Sequence, residues 1–528
     1  MPIPFLRFIR KTVIYLSRFQ PLRLLFLLYY RLAVFALKLY CRLGLPEIDS
    51  VLLHRGLAAG ECSPGLSDID SFIILREMRP EAEKIFLSRF YRAYSGLKRF
   101  FPVLGETQLV TETELGLYLA AGDIRSLNFE KGARTAFARK SRPETAKPAL
   151  KHSTRKLFLD ALTEGLHAHL RICRATLEPD RRFPGAAAHT LTKALLDVFR
   201  SCGMAEETAA GRPAKLPTRK EALSSLNGEE MKALIAAGNA QSAAVLAMSL
   251  RRMETAAQAG SALFSGRAAC PGASCFPASV KETAIKKEFF DSLRRKLGGA
   301  AIAALFDSVY ENWIILDAGI TPAQTLETIA FLTAAKSSSD ETFNGTLMLL
   351  MPHCAATAFS GAFREDPVFV PPFGGRETEI CASAASGPVS GHWKAYWNPG
   401  EFMPFNRDEA LTEELALESF THFIRDWRML CSPEARDPVF QRFNHLLSRS
   451  ASSELYFLHG KSIACFPFQT LSQAYLEANP SAEHIFTMFR SGEYGLLREA
   501  VIPFVSASIS RTLRGAAVAA SALMTDCL

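Results

Sequence analysis

The chain has 528 residues, 48% of them hydrophobic and 22% charged, with 61 Lys and Arg against 53 Asp and Glu for a formal net charge of +8. That length predicts two or three domains rather than one core, and the composition is that of a globular rather than a disordered chain. Eleven scattered cysteines, with no Cys-x-x-Cys pair and no zinc-type spacing to histidine, argue against a zinc module and fit reduced thiols in a cytoplasmic protein.

Residues 1–46 carry Arg7, Arg10, Lys11, Arg18, Arg23, Arg31, Lys38 and Arg42 and no acid. These eight bases equal the net charge of the whole chain, so residues 47–528 are neutral overall. Their spacing predicts two basic amphipathic helices with Pro21 between them. A secretory signal fits poorly, because no small-residue cleavage site follows. The longest uncharged run, Leu24 to Tyr30, falls short of the roughly 20 residues of a membrane span. Two readings stand: peripheral contact with the inner face of an anionic membrane, or a helix pair packed beside the next sheet.

Next comes a predicted strand, Val51–Arg55, followed by Gly56 and Gly60, a turn at Pro64-Gly65-Leu66-Ser67, and Asp68-Ile69-Asp70 opening the apolar run Ser71–Leu75. Residues i and i+2 of a strand point to one face about 6–7 Å apart, so Asp68 and Asp70 would aim two carboxylates into one space. Hard oxygen donors of this kind suit Mg2+. A helix is predicted over Pro80–Phe101, with Pro80 at its start, then a short strand over Glu106–Glu112. Glu106 is the simplest candidate for a third acid; Glu112 and Glu114 would share its strand face and compete with it.

Taken together, these residues resemble the signature of the polymerase-beta-type nucleotidyltransferase superfamily, closest to aminoglycoside-type and other small-substrate members, over about residues 45–120. The resemblance implies an α/β catalytic domain, a small mixed sheet with helices, followed by a helical domain that walls the acceptor cleft. It implies two Mg2+ ions held by Asp68, Asp70 and Glu106, and a nucleoside triphosphate approached by Gly56, Gly60 and Ser67. Arg55 would either reach the triphosphate or sit as a surface arginine at the strand end. One departure matters: where the family has Gly-Ser, this chain has Arg55-Gly56 or Gly56-Leu57, and the phosphate-contacting serine is missing. That departure motivates a rival, a nucleotide-binding module of the same fold with impaired catalysis. A second rival is an Asp-x-Asp glycosyltransferase at a membrane surface. Nucleic acid is a poor partner for a body of near-zero net charge.

Beyond the catalytic stretch, residues 130–156 are rich in base and read as a solvated helix or linker. Helices are predicted over Lys156–Leu170, Leu191–Arg200 and Glu229–Thr255, and His167 and His169, two apart on a helix, do not share a face. Further on, helical patterns cover Ile285–Leu305, Thr321–Ala335, Glu413–Leu430 and Ala482–Arg490. Strand-like runs fall at Trp313–Leu316, Thr346–Met351 and Leu455–Leu458, and Phe363–Phe405 is a long loop rich in Pro, Gly and aromatics. No internal repeat is evident. The predicted organisation is 1–46 basic helices, 47–128 nucleotidyltransferase domain, 129–270 helical domain and 271–528 a mixed α+β region without a motif.

Overall fold

The computed structural model describes residues 12–17, 19–58, 60–65, 67–121, 129, 133–139, 154–177, 184–212, 216–263, 295, 302–307, 311–317, 319–337, 347–352, 354–355, 394–397, 413–432, 439–461 and 468–525. The long loop expected over Phe363–Phe405 lies almost wholly outside them, as does the boundary expected at 270. Residues 12–16 are helical and, after a break, helix α1 runs over Gln20–Gly44 with Pro21 in its first turn, where a missing N–H costs nothing, so two helices meet at Pro21 as expected. Strand β1, Ile48–His54, leads through a single turn of helix, α2 (Arg55–Ala58), to β2, Ile69–Leu75. Helix α3, Pro80–Phe100, carries Glu81 and Glu83 in its first turn and Lys98 and Arg99 in its last, charges that suit its dipole. Strand β3 is Leu104–Thr111, helix α4 Glu112–Ala121 and strand β4 Arg134–Ala138.

These strands form a four-stranded mixed sheet in the order β3-β2-β1-β4. β1 runs antiparallel to β2 and to β4, and β2 runs parallel to β3, as a strand–helix–strand crossover through α3 requires. The predicted boundary at 128 therefore falls inside this sheet, and the basic stretch after it supplies the edge strand β4. One face, with Val51, Leu53, Ile69, Ile73 and Leu109, joins the main core; the other, with Leu52, Phe72, Ile74 and Val110, packs on Leu115, Tyr118 and Phe129.

The chain continues in helices α5 (Thr154–Leu177), α6 (Pro184–Ala209), α7 (Arg219–Ser224), α8 (Gly228–Gly238) and α9 (Ser242–Ala259). Thr218 and Asn227 close capping boxes with Glu221 and Glu230, which is why α7 and α8 start where they do. A second sheet follows: β5 (Ile302–Asp307), β6 (Glu311–Leu316), helix α10 (Pro322–Ser337), β7 (Leu347–Met351) and β8 (Lys394–Trp397). Residues 302–305, expected in a helix, are thus part of a strand. His169 of α5 is buried, with Nδ1 2.8 Å from Ser249 Oγ and Nε2 2.7 Å from the Leu350 carbonyl, so it ties α5 to α9 and β7. A carbonyl only accepts, so Nε2 carries the proton and Nδ1 accepts from the serine. Burial drives its pKa down to about 4.

The last elements are α11 (Glu413–Leu430), α12 (Val439–His459), α13 (Phe468–Ala478), α14 (Glu483–Ser491) and α15 (Tyr494–Thr525). Leu455–Leu458, expected as a strand, is the end of α12. The described residues of Met1–Lys151 and Ala410–Leu528 pack as one compact unit, and those of His152–Gly375 and Ser390–Glu409 as another. Each unit therefore joins one sheet to the helices that follow the other sheet in the chain, so four consecutive domains do not describe the packing. In the first unit α11 packs on β3 and α4, and α15 on α3. Buried Arg428 fastens this arrangement. Its guanidinium reaches Glu83 at 2.6 Å, Glu114 at 2.6 and 3.0 Å, and the Leu109 carbonyl at 3.0 Å. Burial works against its charge, but Glu114 and Glu83 outweigh that and raise its pKa.

The backbone repeats itself. The second sheet has the order β7-β6-β5-β8, with β5 antiparallel to β6 and β8 and β6 parallel to β7. Irregularities fall at matching places: Ile48/Ser50 and Ile302/Ala304 between the first two strands, Val51/Leu52 and Leu305/Phe306 toward the edge strand. On this register Phe72-Ile73-Ile74-Leu75 matches Trp313-Ile314-Ile315-Leu316.

Candidate active site

The N-terminal end of β2 is held by its own turn. Glu61 N–H donates to the Gly56 carbonyl at 2.7 Å, and Gly60 adopts φ of +75°, a left-handed conformation that glycine takes without a Cβ penalty. Buried Ser67 accepts from the Ser63 N–H at 2.9 Å through its hydroxyl and donates its own N–H to the Ser63 carbonyl at 2.8 Å. What Ser67 does here is close the turn. Tyr30 of α1 donates its hydroxyl to the Ser67 carbonyl at 2.6 Å, and Gly65 N–H donates to the tyrosine oxygen at 3.2 Å. The helix before the sheet therefore sets the loop from which Asp68 emerges.

Asp68 is exposed and Asp70 half-buried. Both press on one residue of the neighbouring strand: a Cβ built on Gly105 would lie 2.7 Å from Asp68 Cβ and 2.7 Å from Asp70 Oδ1. Any side chain at 105 would push the two aspartates away, so this glycine is required by close approach. Next to it, Glu106 N–H donates to Asp70 Oδ1 at 3.3 Å, while the Glu106 side chain is exposed. Alternation along β2 and β3 puts Asp70 on the face of Phe72 and Ile74, and Glu106 on that of Gln108 and Val110.

Behind the acids a thread of hydroxyls pins the strands: Ser71 and Thr107 lie 3.1 Å apart, and Thr107 and Tyr94 of α3 lie 2.5 Å apart. On the acid-bearing face, buried His54 makes an edge contact with Phe72, ring centroids 4.9 Å apart, and lies 5.8 Å from the Phe129 ring. Beside them, buried Gln108 leaves its Oε1 without a hydrogen-bond partner among the described residues.

Of the candidate residues, the structure brings together Asp68, Asp70 and the backbone of Glu106. Glu112 and Glu114 are not on its strand: both belong to α4, and Glu114 is spent on Arg428. A Cβ on Gly56 would make only ordinary contacts, 3.6 Å to Ser67 Oγ, so close packing does not demand glycine there. Arg55 opens α2; its side chain lies outside the described residues. Sequence reasoning missed Tyr30, Gly105 and Gln108. Gly105 left a signal, a glycine at the head of a β-forming run; Tyr30 left none.

The second sheet lacks this chemistry at matching positions. Glu311 takes the register of Asp70 but pairs with Leu347, where the first sheet has Glu106. Comparisons with protein-family models, curated proteins and solved structures return no match to this chain.

Proposed function

We propose that the chain is a Mg2+-dependent nucleotidyltransferase of the polymerase-beta type, working from its first sheet and moving a nucleoside monophosphate from a triphosphate to an acceptor hydroxyl. The observation that carries this reading is the convergence of Asp68 and Asp70 on Gly105, with Glu106 beside them. The donor chemistry fits the metal: two hard carboxylates sit side by side at the mouth of a strand. Among the described residues no group of three or more His, Cys, Asp and Glu could hold a metal ion. Mg2+ is commonly held by one or two carboxylates together with its nucleotide's phosphates. Asp68 and Asp70 would hold it, and the ion when bound would neutralise triphosphate charge. Glu106 would take the proton of the acceptor hydroxyl.

A pyrophosphate-release assay over the common triphosphates, with small-molecule and lipid hydroxyl acceptors, tests this. Release that depends on Mg2+ and on Asp68 and Asp70 supports the reading; none with any triphosphate sinks it. The absent motif serine, together with a Ser67 hydroxyl already engaged by Ser63, favours a second reading: a nucleotide-binding module without transfer. A thermal shift on adding ATP and Mg2+ without pyrophosphate release separates that case. Turnover with a nucleotide sugar and Mn2+, without pyrophosphate, would instead point to glycosyl transfer.

A further inference from the structure

Helix α1 has two apolar faces, and the first unit covers only one. Tyr30, Ala33, Leu37 and Cys41 are buried in the core of that unit. On the opposite side Leu24, Leu28, Leu32, Phe35, Leu39 and Leu43 follow helical spacing and stand open, Leu24 at 65%, Phe35 at 59% and Leu43 at 74% exposure. A helix packed on a soluble domain ordinarily turns polar residues outward. Here the outward stripe is leucine and phenylalanine.

The charges of α1 are as one-sided as its apolar residues. At 3.6 residues per turn Arg31, Lys38 and Arg42 fall along one flank of the exposed stripe, and the helix contains no acid. Lys38 and Arg42 also line a groove of about 490 Å³ against residues 135–139, at the edge strand β4. Arg139 lines it too, but donates to the Ile48, Arg42 and Leu45 carbonyls at 2.8–3.2 Å and so anchors the end of α1. Among the described residues neither Lys38 nor Arg42 has an acidic partner. By length and composition α1 could cross a membrane. A crossing helix would have to give up its buried face and the Tyr30–Ser67 hydrogen bond.

We propose that α1 docks the protein on the surface of a bilayer carrying anionic phospholipids. It lies in the headgroup plane with its leucine and phenylalanine stripe in the acyl boundary and Arg31, Lys38 and Arg42 on lipid phosphates. Charge complementarity selects this occupant: an acid-free helix with a basic flank along its open apolar face matches an anionic interface. The inference stands without the catalytic reading, since it uses none of the acids.

Vesicle flotation of the full chain, with no nucleotide present, tests it. Vesicles of phosphatidylcholine with about one-third phosphatidylglycerol should carry the protein up, and pure phosphatidylcholine should bind about tenfold more weakly or worse. Raising the salt should release it. Leu28→Glu with Phe35→Glu should abolish flotation with an unchanged melting profile, since both side chains face outward. Lys38→Gln with Arg42→Gln should reduce binding to the phosphatidylcholine level. Failure of the wild-type chain to float, or flotation of either variant at the wild-type level, overturns the proposal. So does self-association lost in Leu28→Glu with Phe35→Glu and unaccompanied by vesicle binding, which assigns the stripe to a second copy.

Discussion

The two sheets share strand order, strand directions and the positions of their irregularities, and they differ at the one edge where chemistry would occur. Phe72-Ile73-Ile74-Leu75 and Trp313-Ile314-Ile315-Leu316 hold the same register, and Ile314, Ile315 and Leu316 are buried as Phe72 to Leu75 are, because a strand buried on both faces must be apolar there. Asp68, Asp70 and Glu106 face no such requirement, and the second sheet has Glu311 and Leu347 at the last two positions. Packing kept the scaffold twice; the full set of Asp68, Asp70 and Glu106 stands on one copy.

The sharpest way to break that comparison is to remove the acids on each side. Asp68→Ala or Asp70→Ala should cut transfer by at least about a hundredfold in a pyrophosphate assay, while Glu311→Ala leaves it unchanged. Equal losses would mean that both sheets are active. The next effect is on stability. Arg428→Ala leaves Glu83 and Glu114 buried without a counter-charge, at a cost of about 3–5 kcal/mol. In calorimetry the transition of the first unit should fall and that of the second hold, which also tests whether the units melt separately.

Gly105→Ala probes the acid-bearing edge more finely. The added methyl meets Asp68 Cβ and Asp70 Oδ1 at 2.7 Å, so about 1–3 kcal/mol of overpacking should accompany loss of transfer. The smallest effect is a pH response of the second unit. Burial lowers the His169 pKa to about 4, so the native imidazole stays neutral while the unfolded chain binds a proton near 6.5. Stability from this group is whole above about pH 6.5 and falls as pH drops toward 4. Burial, with Arg449 nearby, likewise lowers His445 in the first unit, to about 3. His169→Gln should flatten the acid-side decline of the second transition alone.

Much of the first unit was legible from residues. Pro80 marked the start of α3, Glu413–Leu430 was read to its ends as α11, and the apolar run after Asp70 was read as a strand. Short apolar runs were the failures. Ile302–Leu305 has a helical composition because alanine hides a strand, and Leu455–Leu458 reads as strand because four residues cannot show a period. Glu112 and Glu114 looked like strand residues until α4 placed one of them against Arg428. The repeat is not evident in the sequence because its second copy keeps the apolar strand but drops the glycine loop and two of the three acids.

Local residue patterns suffice for the Asp-Ile-Asp edge, the turn ahead of it, and an acid-free helix with basic residues along one flank. These follow from periodicity, turn chemistry and charge, all of which act over a few residues. Long-range packing set the rest. It placed Gly105 under both aspartates and hung Tyr30 on the Ser67 carbonyl. It also joined the first sheet to helices more than 300 residues further along the chain. Partners so distant in sequence are selected by burial and complementary shape, which no local pattern encodes.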